Sequence, residues 1–152
     1  MAYRINVTKY TGGKNIRKSK CDEHFFGVQI IEEGHEKLMK IIGDVTKARQ
    51  HNNDPEEIAD VLYEMTMYAL NHFDAEERYM EVFDYADYKL HRKEHKSFIM
   101  KTVDYCNRTM KHDYNITDEL LEYLSQWLTN HIKGSDKKFT DVLSKRISNW
   151  HR

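Results

Sequence analysis

Pro55 is the only proline among 152 residues, and glycine occurs only six times. A chain with so few breakers is committed to long uninterrupted elements, and its apolar residues recur at helical rather than strand spacing. The periodicity predicts a first helix over about His35 to Gln50, with Leu38, Ile41, Ile42 and Val45 on one face. Asp54 before Pro55, with Glu57 three residues on, is a start signal for a second helix, which persists to about Val82. A third covers Tyr88 to Met110 and buries Leu90, Phe98, Ile99 and Val103. A fourth runs from Asp118 through about Ile132, burying Leu120, Leu121, Leu124, Trp127 and Leu128. Helical spacing continues through Phe139, Val142, Leu143 and Ile147, as a continuation or a short fifth helix. Short connections join these segments, so the expected fold is all-α, an antiparallel up-down-up-down four-helix bundle. One domain is expected: an irregular N-terminal arm over 1–26, the bundle over 27–136 and a helical tail over 137–152.

Charge and cysteine content narrow the function classes. Net charge is −1, which exerts no general pull toward nucleic acid or membrane. Six basic residues lie in the first twenty, but no aromatic stacking set accompanies them. Cys21 and Cys106 are too few for a disulfide framework and fit a reducing compartment. No apolar run has the length of a signal peptide core or a membrane span, so a cytoplasmic protein without membrane or nucleic-acid partners is expected.

Polar residues interrupt every apolar stripe. His72 and Glu76 share a helix face with Val61, Leu62, Met65, Tyr68, Ala69, Phe73 and Met80. His35 opens the first helix; His91 and His95 are four apart in the third, beside Phe98. His131 follows Trp127 and Leu128 on the apolar face of the fourth, with Asp136 five residues later. A lone histidine on such a face is usually a hydrogen-bonded core residue. Imidazoles and carboxylates on core positions of successive helices are harder to explain so, because burying them unpaired costs several kcal/mol each. Neutral imidazole with carboxylate oxygen suits iron, manganese or zinc. Seven such groups exceed one tetrahedral zinc, so two metals bridged by carboxylates is the better count. His131 and Asp136 are about 140° apart on a regular helix at ~100° per residue, so a π-type irregularity is expected between them, with Gly134 easing it. Tyr68, one turn before His72, is as consistent with core packing as with a hydrogen bond to the site, and Glu77 with either solvent or a supporting contact. His24, His51, His112 and His151 are expected to be exposed, and Cys106 to be a buried apolar residue.

Four segments resemble the hemerythrin family in its single-domain bacterial form, from about Gly27 to Asp136. G-V-Q-I-I-E-E-G-H ends at His35; H-F-D-A-E-E-R-Y-M reproduces HFxxEExxM; Y-A-D-Y-K-L-H-R-K-E-H-K-S-F and W-L-T-N-H-I-K-G-S-D follow in order. The resemblance implies that His91, His95 and His131 bind one iron, and His35 and His72 a second. It implies that Glu76 and Asp136 bridge two iron ions (Fe2+/Fe3+) joined by an oxo or hydroxo bridge. Dioxygen would bind reversibly at the iron with an open position, as hydroperoxide, in a pocket lined by Leu38, Phe73, Trp127 and Leu128. The expected protein is an oxygen carrier, store or delivery protein and not an enzyme; the alternatives are an oxygen or redox sensor and a di-iron enzyme of peroxidase-like or nitric-oxide chemistry. Departures from the family pattern are Gly34 where glutamine is usual, Glu32 for aspartate, Ala86 for proline, and no tryptophan near Cys21 to Phe26.

Overall fold

A computed structural model describes residues 20–150 of the chain, and no strand occurs among them. Four continuous helical stretches account for nearly all of it. The first is α1 (Lys20–Gln50). The second comprises α2 (Pro55–Tyr68), a π turn (Ala69–Phe73) and α3 (Asp74–Val82). The third is α4 (Tyr88–Met110). The fourth runs through α5 (Thr117–Trp127), a π segment (Leu128–Asp136) and α6 (Lys137–Trp150). No helix among the described residues is long and apolar enough to cross a membrane.

Boundaries follow local chemistry where that chemistry is strong. The Asp54 side chain accepts a hydrogen bond from the Glu57 backbone N–H at 3.0 Å, and Pro55 occupies the first turn, where its missing N–H costs nothing. α1 begins well before the expected His35, so residues 20–26 are helical rather than part of an irregular arm; residues 1–19 lie outside the described residues. The physical reason is a longer seam. Positions 27, 31, 34, 38, 41, 45 and 48 are all buried, spaced alternately four and three apart, which is the stripe of a helix packed along neighbours over many turns. The expected tail is the continuation of the fourth stretch, with Phe139 and Leu143 fully buried; Ile147 lies outside the described side chains.

One expected face is corrected. Of the four residues assigned to the buried side of the third helix only Phe98 is buried, while Leu90, Ile99 and Val103 are 60%, 40% and 53% exposed. The buried stripe is instead His91, His95, Phe98, Thr102 and Tyr105, a 4-3-4-3 progression that includes the polar residues. Leu90, Ile99 and Val103 each sit one position off the face that carries His91, His95, Phe98 and Thr102.

α1 packs along α2 and α5, α2 packs against α4, and α6 returns to α1. The apolar interior forms two clusters. The larger contains Leu38, Met65, Tyr68, Phe73, Phe98, Leu120 and Trp127, and the smaller Ile31, Met80, Phe83, Tyr85, Phe139 and Leu143. The site residues lie about the junction of the two clusters: His35 between Ile31 and Leu38, Glu76 between Phe73 and Met80, and Asp136 between Ile132 and Phe139. The core assignment has a direct check: Phe98→Ala should cost about 3–5 kcal/mol in urea denaturation, whereas Val103→Ser should change stability by no more than about 0.5 kcal/mol.

Candidate metal centre

Glu76, His91, His95, His131 and Asp136 are all buried, and one ligand atom from each lies within 4.8 Å of all the others. They come from α3, α4 and the π segment. His91 Nε2 contacts Glu76 Oε1 and lies 2.9 Å from Asp136 Oδ1. His131 Nε2 is 3.1 Å from Asp136 Oδ1, and His95 Nε2 is 3.7 Å from Glu76 Oε1. The remaining two expected residues approach the same carboxylates through their other oxygens. His72 Nε2 is 3.0 Å from Glu76 Oε2, and His35 Nε2 is 3.1 Å from Asp136 Oδ2. All seven sequence-predicted groups thus converge, five in one tight cluster and His35 and His72 on the far side of the two carboxylates. His35 is the least enclosed, its side chain 28% exposed.

The expected irregularity between His131 and Asp136 is present as the π segment. A widened turn replaces the i→i+4 pattern with i→i+5, so residues five apart stack one above the other and both meet the centre. The π turn at Ala69–Phe73 was not anticipated. Its signal is the spacing: Tyr68, His72, Glu76 and Met80 are all buried yet advance by four residues at each step. A regular helix drifts about 40° per such step, and a widened turn absorbs part of that drift.

Outer contacts hold two imidazoles by their distal nitrogens. His131 Nδ1 donates to Glu94 Oε2 at 2.8 Å, and Ser135 Oγ donates to the other Glu94 oxygen at 3.0 Å. His95 Nδ1 lies 3.3 Å from Glu77 Oε1. A distal N–H bonded to a carboxylate selects the tautomer whose Nε2 faces the centre. Glu94 was not singled out by the sequence; its place three residues after His91 was the only cue. Aromatic rings cover the imidazoles. Phe73 stacks on His95 with centroids 4.0 Å apart, Trp127 stacks on His131 at 4.0 Å, and Tyr68 stacks on His72 at 5.0 Å. Of the four expected pocket-lining residues, Leu38, Phe73 and Trp127 are buried in the larger cluster and Leu128 packs partly buried against it. His51 and His112 are exposed, and Cys106 is partly buried with its thiol pushed up by burial; His24 and His151 lie outside the described side chains.

The donor set fits a metal. Both oxygens of Glu76, Asp136 Oδ1, and Nε2 of His72 and His91 are buried without a correctly oriented hydrogen-bond partner, an arrangement native interiors rarely tolerate. His95 Nε2 faces His131 Nε2 at 3.2 Å, so two imidazole nitrogens converge where only a proton or a cation relieves their repulsion. Among the described residues no lysine or arginine reaches Glu76 or Asp136; the imidazoles are their only close cationic partners.

Without metal, these groups must neutralise one another. Burial pushes the His91 imidazole down, but contacts with Asp136 and Glu76 outweigh it and hold it up at about 9. His131 is raised for the same reason, by Asp136 and Glu94 against burial. Burial pushes Glu76 up, yet its contacts with Asp136, His72, His91 and His95 hold it well below the carboxylate range. A raised histidine stabilises the fold fully below its ordinary value of 6.5 and loses that contribution as pH rises through about 9. Chelator-treated protein should therefore show a falling urea midpoint between pH 6.5 and about 9; a midpoint constant across that window would remove the assigned pairing.

A model of the hemerythrin HHE cation binding domain matches residues 27–143. The bacteriohemerythrin of Pseudomonas aeruginosa (strain LESB58) is 33% identical over 122 residues, covering 80% of this chain and 78% of the relative. That of Stenotrophomonas maltophilia (strain R551-3) is 28% identical over 131 residues, with 86% and 84% covered. A hemerythrin-like protein of Naegleria gruberi is 29% identical over 113 residues, with 74% and 82% covered.

Proposed function

The chain belongs to the hemerythrin family, and from that premise we propose that its buried centre holds two iron ions with an oxo or hydroxo bridge and binds dioxygen reversibly, as a carrier, store or delivery protein. His91, His95 and His131 would hold one ion, His35 and His72 the other, with Glu76 and Asp136 shared between them. The observation that supports this reading is the division of the carboxylate oxygens: Glu76 and Asp136 each present one oxygen to the three-histidine side and the other to His72 or His35. When bound, the ferrous pair supplies the two electrons that uptake of dioxygen requires.

The protein's own part is to orient, exclude and retain. Glu94 and Glu77 fix the His131 and His95 tautomers. Phe73 and Trp127 close the faces of those rings and keep bulk water from the centre. Five imidazoles with only two carboxylates donate little charge to the metals, which disfavours the high-valent states needed for O–O cleavage. Tyr68 adds a buried hydroxyl without a partner. Burial first, and the charges of Asp136 and Glu76 next, hold its pKa well above the ordinary value, against an opposing contribution from Trp127. The hydroxyl keeps its proton and can donate a hydrogen bond inside an otherwise apolar wall.

Anaerobic loading with ferrous iron tests the reading. Two irons per chain, and an absorption band that forms in oxygen and disappears under vacuum, are expected. Immediate irreversible oxidation would shift the assignment to redox sensing or turnover with a reductant. Glu94→Gln should leave the fold intact and weaken iron retention about 10–100-fold in chelator competition; wild-type retention would show that Glu94 does not hold His131 for the metal.

A further inference from the structure

Two of the seven positions on the buried seam of α1 carry glycine, and in each case an aromatic ring from the second helical stretch faces the empty place. A Cβ built on Gly27 meets the Tyr79 ring at 3.2 Å, a tight contact. A Cβ built on Gly34 would lie 2.0 Å from Cε1 and Nδ1 of His72 and 2.6 Å from its Cγ. No side chain can share that space. His72 cannot easily retreat, because it is 6% exposed and stacked on Tyr68 at 5.0 Å, with its Nε2 facing Glu76 Oε2 at 3.0 Å. Helix propensity offers no reason for the glycine, since the middle of a 31-residue helix is where glycine is disfavoured against alanine. Gly43 provides the contrast: a Cβ there meets nothing within 4 Å.

We propose that Gly34 is the positioning residue for His72: the missing side chain at 34 is the seat of the imidazole, and it sets the ring's approach to the second metal position. The proposal rests on the two-metal reading above for its functional consequence, and on geometry alone for the seat. Contact with α1 at Gly34 and stacking on Tyr68 both bear on the ring. Displacing it would withdraw one of the two imidazoles assigned to that position while leaving His91, His95 and His131 untouched.

A double-mutant cycle on metal-free protein reads the seat directly. Gly34→Ala should raise the unfolding equilibrium constant about tenfold or more through overpacking, whereas in a His72→Ala background the same change should stabilise, as Gly43→Ala should in the wild type. Iron counting reads the consequence: wild type should bind two ferrous ions, and Gly34→Ala should keep one and bind the second at least tenfold more weakly. A Gly34→Ala protein as stable as Gly43→Ala, or one equally destabilised in both backgrounds, would overturn the proposal. So would normal retention of two ions by Gly34→Ala. If Gly34→Ala does not fold, folding of the double variant supports the seat and its failure refutes it. Fewer than two ions in the wild type would defeat the two-metal reading instead, leaving the stability cycle to judge the seat.

Discussion

Two carboxylates with no solvent exposure, Glu76 and Asp136, are the constraint around which the rest of this molecule is arranged. A buried carboxylate loses several kcal/mol of hydration, and among the described residues no lysine or arginine restores it. Imidazoles do so instead, drawn from all four helical stretches. The belt they form divides the apolar interior into two clusters rather than sitting beside one. Each cluster closes one side of the belt, so hydrophobic burial on both sides carries the cost of a polar layer that could not fold alone. The same enclosure suits the layer to a cation, since five of its buried donor and acceptor atoms lack an oriented hydrogen-bond partner.

Regular helices would not deliver these groups. Polar residues placed to meet at one point need particular angular positions, and ~100° per residue is a coarse ruler. The fold adjusts the ruler at two places, both beside ligand-bearing turns. One widened stretch brings His131 and Asp136 together across five residues; the other precedes Glu76 and absorbs the drift of a four-residue repeat. Such widenings weaken local backbone geometry and are seldom kept without reason. Here the reason is convergence of side chains on one layer.

How much of this was legible depended on whether the signal was a pattern or a shape. Helix identity, the limits of α4 and the seven converging residues could be read because proline scarcity, periodicity and residue type are carried in the letters. The π segment at His131 could be read because five residues is an impossible spacing for one face. The buried face of α4 was legible in part: His91, His95 and Phe98 mark it, while Leu90, Ile99 and Val103 are apolar but each sit one position off it. The early start of α1 was missed because its seam there is built on glycine and a single isoleucine, Ile31. Glu94 and the seat at Gly34 were invisible for a different reason: they concern what lies across from a residue, and one chain read in order does not say so.

The two ends of the centre are fastened by different physics. On the three-histidine side, His131 and His95 are held by hydrogen bonds from their distal nitrogens to Glu94 and Glu77, with aromatic rings stacked over them. That fastening combines charge with ring stacking. On the other side, His72 is held by packing against the Tyr68 ring and the bare backbone at Gly34, and His35 is partly open to solvent. That fastening depends on volume as well as on the contact of His72 Nε2 with Glu76 Oε2 at 3.0 Å. The cluster thus has one end set mainly by hydrogen bonds and one set mainly by packing. If the centre holds two metals as proposed, variation in the apolar residues of α1 and α2 should act on the His35 and His72 end more than on the three-histidine end, through packing and not through the ligands themselves.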